Sequence, residues 1–207
     1  MGERDRRDWI IDATLDVCGR SGYETTTLDQ IADAAGITPS DFAEYFPDKD
    51  AVFMAVIEDL LLATAAALQD VDASHDPEQA LLVATTDVLV AIVEGRGVIT
   101  RERMLALAQT MTPQQGLRKK ASSARKRILT PALAQRLGVA PENRRVRQAV
   151  MKWSAVAGGA YLDRLSMADH YDPAQDDRLS ERMVSELGST FTEVTGEEPA
   201  HGPPDDS

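Results

Sequence analysis

Apolar residues recur at three- and four-residue intervals along most of the chain, so the pattern predicts helices throughout. The most informative stretch runs from Thr26 to Lys49, T-T-L-D-Q-I-A-D-A-A-G-I-T-P-S-D-F-A-E-Y-F-P-D-K. Thr27 and Gln30 have the spacing of a capping box, in which hydroxyl and side-chain amide satisfy backbone N–H groups left free at a helix start. Leu28, Ile31, Ala32 and Ala35 then gather on one face that is expected to be buried, and Gly36 can take the left-handed conformation that ends a helix. Thr38 opens a second, short helix, with Pro39 in its first turn and Asp41 near the positive end of the helix dipole. It ends near Phe46, ahead of Pro47. Two short helices around one glycine have the layout of a helix-turn-helix, whose second helix enters the DNA major groove. The candidate base readers are therefore Thr38, Ser40, Asp41, Glu44 and Tyr45.

Upstream, Ile10, Ile11, Ala13, Thr14, Leu15, Val17 and Cys18 predict a helix that ends near Ser21 and Gly22, completing a three-helix unit over residues 1–49. Six more helices are expected over 50–194. Asp48 caps one that reaches about Asp70, Pro77 opens one to Glu94, and a shorter one spans about Thr100 to Thr110. The next starts at Thr112 and Pro113 and runs towards Leu137, with Pro131 inside it and expected to kink it. Pro141 begins the eighth, to about Met167, and Asp172 and Pro173 precede the ninth, to about Val194. Residues 195–207, rich in Gly, Pro, Glu and Asp, are expected to form a disordered tail. The fold class expected is all-α.

The segments I-I-D-A-T-L-D-V-C-G-R-S-G-Y-E-T-T-T-L-D-Q-I-A-D-A-A-G-I-T, from Ile10 to Thr38, and Y-F-P-D-K-D-A-V-F, from Tyr45 to Phe53, resemble the N-terminal domain of the TetR family of bacterial transcriptional regulators. The likeness covers roughly residues 8–57; beyond them only the helical architecture agrees. It implies a homodimeric repressor that pairs through its last two helices and leaves a palindromic operator when a small molecule fills its C-terminal domain. It further implies phosphate contacts from Thr27, Tyr45 and Lys49, and from a flexible N-terminal arm carrying Arg4, Arg6 and Arg7. Local alternatives exist for each, since Thr27 also caps and Tyr45 also packs. The pocket that the resemblance implies would be lined by Met104, Leu107, Met111, Trp153 and Tyr161, although each also suits an ordinary core.

Two departures from the family pattern bear on DNA. Ala43 stands where many members carry an aromatic ring that touches the DNA backbone, and the only charged residues from Thr38 to Phe46 are Asp41 and Glu44. Carboxylates can accept from cytosine N4 but add no attraction for phosphates. The whole chain has 22 basic and 34 acidic residues, a formal charge of −12. Residues 1–49 hold five basic against eleven acidic residues, so a weak non-specific affinity is expected.

The charge is segregated. Between Ala51 and Gly95 there is no Lys or Arg but eight acids, whereas Arg96 to Lys152 holds fourteen basic residues against Glu102 and Glu142 alone. The densest basic run is Arg118, Lys119, Lys120, Arg125, Lys126 and Arg127. Three readings are open: faces that pair with acidic helices of the same fold, attraction of an anionic effector, or a second nucleic-acid surface.

Leu179, Met183, Leu187, Phe191 and Val194 form an apolar stripe, and Gly158 and Gly159 lie in a small-residue run that would let another backbone approach. These positions, Gly158, Gly159, Leu179, Met183, Leu187 and Phe191, are the candidate dimer interface, against the alternative that the stripe closes one chain's own core. Catalytic, cofactor and metal readings find no support. Cys18 is the single cysteine, which excludes an internal disulfide and suits a reducing cytoplasm. His75, His170 and His201 share no metal-ligand spacing. No apolar run is long enough to span a membrane. The reading from a different class is a ligand-binding or protein-interaction module on the same scaffold, with weak or lost DNA binding.

Overall fold

Nine α-helices are seen in the computed structural model, which describes residues 2–111, 113–160 and 179–199. They are α1 (Glu3–Ser21), α2 (Leu28–Ala35), α3 (Pro39–Tyr45), α4 (Lys49–Ala67), α5 (Pro77–Val93), α6 (Arg101–Met111), α7 (Gln115–Leu137), α8 (Arg144–Ala155) and α9 (Leu179–Thr195). A π-helical turn, Val156–Ala160, extends α8. The fold is all-α.

Polar caps set most of the starts. Asp48 accepts from the Ala51 amide at 2.8 Å, Asp76 from Gln79 at 2.8 Å, and Asn143 from Arg145 at 2.9 Å. Asn143 thus takes the role expected of Pro141, so α8 begins three residues later than its sequence suggests. Helix α7 starts at Gln115 and continues through Pro131. Helix α1 starts at Glu3, with the Gly2 amide donating to Asp5 at 3.0 Å, so the three N-terminal arginines sit on a helix. That corrects the expected flexible arm.

Helix α4 is the strut of the molecule. Its first turns place Val52 and Phe53, both fully buried, among Ile10, Leu15, Ile31 and Phe42 of the helix-turn-helix unit. Its later turns carry Val56, Ile57 and Leu61 into the core shared with α5 and α7. The buried apolar residues of both regions form one contiguous cluster, and replacing a ring such as Phe53 by alanine would cost about 3–5 kcal/mol.

Two sequence expectations change here. Leu28 is 37% exposed, because as the first residue of α2 it lies beyond the seat on α1 that Ile31, Ala32 and Ala35 fill. The tail expected from Thr195 is ordered through Pro199: Thr195 ends α9, and Gln79 Nε2 donates to the Glu198 carbonyl at 2.6 Å. Residues 200–207 lie outside the described residues.

The segregated charges meet across helix pairs. Lys120 of α7 reaches Asp50 of α4 at 2.5 Å, Arg127 of α7 reaches Glu58 of α4 at 2.5 Å, and Lys152 of α8 reaches Glu78 of α5 at 3.1 Å. Arg136 closes the end of α4, donating to the Val71 and Asp72 carbonyls at 2.5 Å each. The link with the most bonds joins α6 to α1. Arg103 Nε donates to Asp12 Oδ1 at 2.6 Å, Nη2 to Asp12 Oδ2 and the Asp8 carbonyl at 3.0 Å each, and Nη1 to Asp8 Oδ1 at 3.2 Å, with the Arg103 side chain only 13% exposed.

Forked charge-assisted bonds from a mostly buried arginine contribute more than single pairs between exposed side chains. Arg103→Met is therefore expected to destabilise by roughly 1.5–3 kcal/mol. Lys120→Met, at a half-exposed pair, should change stability by less than about 1 kcal/mol. Urea unfolding of both variants checks the ordering, and equal effects would contradict it.

Candidate DNA interface and effector core

The two capping boxes read from the sequence are formed. Thr27 N–H donates to Gln30 Oε1 at 2.9 Å and Gln30 N–H to Thr27 Oγ1 at 3.3 Å. Thr38 N–H donates to Asp41 Oδ2 at 3.0 Å, and Asp41 N–H to Thr38 Oγ1 at 3.1 Å. Gly36, at φ 65°, supplies the left-handed turn between them. These bonds to Thr38, with a smaller contribution from Arg6, hold the Asp41 carboxyl below its ordinary 3.8. Its folded-state value is depressed, so the carboxylate's share of the cap is fully present above pH 3.8 and is lost as pH falls through the lower folded-state value.

Helix α3 buries Phe42 fully and turns Pro39, Ser40, Ala43 and Glu44 outward. Of the candidate readers, Ser40 and Glu44 lie on this outward face, Thr38 and Asp41 are engaged in the cap, and Tyr45 is half-buried against the core. The Ala43 methyl stands in the middle of the face.

Two of the cations expected at phosphates, Lys49 and Arg7, have other partners. Lys49 Nζ donates to the Tyr23 carbonyl at 2.5 Å and the Thr26 carbonyl at 2.9 Å, and lies 4.3 Å from the Tyr23 ring centre. The ammonium thereby closes the loop between α1 and α2, and Tyr23 in turn hydrogen-bonds Asp50 and packs edge-on against Phe53 at 5.4 Å. Arg7 sits over the Phe46 ring at 5.6 Å and 3.9 Å from Asp59. Arg6 is exposed on α1, and Thr27 is exposed at the start of α2. Sequence reasoning did not find Trp9, whose indole N–H donates to the Ala35 carbonyl at 2.9 Å and locks α1 to the end of α2. Cys18 is buried, and burial raises its thiol above the ordinary range.

Met104, Leu107 and Met111 of α6 and Trp153 of α8 are all buried members of the core; Tyr161 lies outside the described residues. Two open surface grooves among the described residues lie elsewhere. One of about 420 Å³ lies between α4 and α7, against Met54, Glu58, Lys120 and Arg127. The other, about 680 Å³, is bordered by Val71, Asp72, His75, Val83 and Asp87. No metal-binding group of His, Cys, Asp and Glu occurs among the described residues.

The α9 stripe is corrected. Met183, Leu187 and Phe191 are at most 1% exposed within a single chain, packed towards α5, α8 and the π-helical turn, so they close this chain's own core rather than face a second copy. Leu179 opens α9, and Gly158 and Gly159 lie in the π-helical turn, where Gly158 faces Arg125. Arg125 is 7% exposed, and burial alone lowers its pKa to about 10.

Residues 10–56 match the family model described as bacterial regulatory proteins, tetR family. Residues 10–56 are thus a TetR-family N-terminal domain. A stretch of 52 residues is 38% identical to the HTH-type transcriptional regulator RutR of Escherichia coli, a match covering 25% of this chain and 24% of RutR. A longer stretch of 92 residues is 35% identical to the HTH-type transcriptional regulator TcmR of Streptomyces glaucescens, covering 44% of this chain and 41% of TcmR. The matches thus span less than half of these curated relatives. Over 96% of the chain the fold is similar to that of SmeT, the repressor of the Stenotrophomonas maltophilia multidrug efflux pump SmeDEF, covering 94% of SmeT with a TM-score of 0.58 and 19% identity. In this TetR-family domain the cap, turn and packing face are all in place, while the recognition helix is acidic.

Removing the cap tests the local account of α3. Thr38→Ala should cost about 1 kcal/mol and speed amide exchange at Asp41 and Phe42. Unchanged exchange at both amides would contradict it.

Proposed function

We propose that this protein is a homodimeric, ligand-responsive DNA-binding regulator of transcription, acting as a repressor on a palindromic operator. The observation that carries the reading is the complete helix-turn-helix, with both capping boxes, the Gly36 turn and an outward α3 face of Ser40, Ala43 and Glu44. Ser40 and Glu44 would meet base edges, Glu44 as an acceptor for cytosine N4. Arg6 and the exposed Thr27 flank that face as phosphate contacts, and Lys49 supports it from inside.

A two-fold axis through α8 and α9 would set two recognition helices on successive turns of the major groove. The outward side of α8 supports this, because Met151 is 62% exposed there and Ala155 is exposed one turn on. An exposed methionine on a helix face suits a partner surface. The effector would enter the helical domain, and the Arg103 link from α6 to Asp8 and Asp12 of α1 would carry its effect to the DNA unit.

A module of this fold with little DNA affinity is the second reading, favoured by the internal engagement of Lys49 and Arg7 and by the acidic α3. Gel shift with the DNA flanking its own gene, at two salt concentrations, separates the two. The regulator reading expects a saturable shift whose log-log salt slope is shallower than about −8, meaning fewer than about nine phosphates neutralised. No saturable shift at low salt would favour the second reading.

Dimerisation has its own test. Met151→Glu is expected to move the protein from dimer to monomer in light scattering at micromolar concentration with its helix content kept. A monomeric wild type, or an unaffected dimer in the variant, would overturn the α8 interface.

A further inference from the structure

Among the cations of α7, Arg125 stands apart. Lys120 and Arg127 reach carboxylates of α4, but Arg125 points into the protein, is 7% exposed, and has no acidic partner among the described residues. Its neighbours on α7, Ala121, Ala124, Ile128 and Leu129, are all buried and apolar. A buried guanidinium with no carboxylate beside it among the described residues is unfavourable, and its desolvation is what pulls it down to about 10.

A second, independent feature lies opposite. The guanidinium faces the π-helical turn Val156–Ala160 that follows α8, at a glycine: a Cβ on Gly158 would stand 3.1 Å from Arg125 Nη1. Single π-helical turns inside α-helices frequently mark functional sites. The glycine leaves no side chain between the backbone of the turn and the guanidinium edge.

We propose that Arg125 is the anchor for the effector, and that the effector is an apolar molecule carrying a single carboxylate, whose head group pairs with this guanidinium beside Gly158. The planar fork of arginine matches a carboxylate with two parallel hydrogen bonds. One buried cation balances one negative charge, whereas a phosphate dianion would leave a net charge in an apolar interior. The apolar surroundings select the rest of the guest. This deepens the ligand-responsive reading and rests on it only for the consequence at DNA.

The probes are hexanoate, octanoate, decanoate, laurate, benzoate and phenylacetate, each beside its matched alcohol. They are measured by thermal unfolding of the full chain without DNA, because a ligand that binds only the folded state raises the midpoint. At least one carboxylate should raise the midpoint in a concentration-dependent way while its alcohol raises it less. Arg125→Met should raise the midpoint of the ligand-free protein, since it removes an unpaired buried charge, and should weaken the best carboxylate at least about tenfold. Gly158→Ala, which keeps the helix and places a methyl against Nη1, should weaken the same carboxylate with the fold intact.

The proposal is overturned if no carboxylate acts on the wild type, or if Arg125→Met responds like the wild type. It is also overturned if Arg125→Met lowers the ligand-free midpoint, because Arg125 then has a partner within residues 161–178 and serves the fold. Gel shift with the best carboxylate is read separately. Carboxylate binding without any DNA shift would leave Arg125 as the anchor and remove the regulator reading.

Discussion

The burial of one face of α4 in two places at once is the constraint on which the rest of the structure depends. Val52 and Phe53 complete the core of the helix-turn-helix, and a few residues later Val56, Ile57 and Leu61 complete the core of the larger helical region. Because interiors are close-packed, such a helix cannot shift for one neighbour without disturbing the other. Around this strut, Arg103 ties α6 to α1, and Lys49 ties the start of α4 to the loop before α2. A change in the helical region therefore has a short mechanical route to α2 and α3. The route needs no separate hinge.

Electrostatics acts on the same scaffold as a guide to pairing more than as a source of stability. Acidic α4 and α5 meet basic α7 and α8 through Lys120, Arg127 and Lys152, in pairs that are largely solvent-exposed and individually weak. Their value is in register, since opposite signs on facing helices penalise the wrong neighbour. Arg125 breaks that pattern, and its departure is what makes it informative. It is the α7 cation whose burial no described carboxylate offsets.

Local chemistry was legible in the sequence and long-range chemistry was not. Thr27 with Gln30, Thr38 with Asp41, Asp48 and Gly36 act within a few residues of themselves, so spacing alone revealed them. Lys49 and Trp9 bond partners 23 to 26 residues away, and Arg103 reaches 91 to 95 residues back, at distances where no periodicity speaks. The α9 stripe shows the other limit. Its spacing marked Met183, Leu187 and Phe191 as needing burial, but an apolar stripe does not name its partner, and here the partner is the same chain. The basic run on α7 was visible as charge; which of its members turns inward depends on helix rotation against α4 and α8.

The shared core of α4 makes a direct prediction, because the chain places Trp9 in the DNA unit and Trp153 in the helical region. In the variants Trp9→Phe and Trp153→Phe, the remaining tryptophan reports one region while far-UV circular dichroism reports all helices. If α4 welds the two regions, the fluorescence and dichroism transitions in urea coincide in each variant. A Trp9 transition that precedes the dichroism transition in Trp153→Phe would mean that the DNA unit melts on its own, contradicting the coupling on which this account rests.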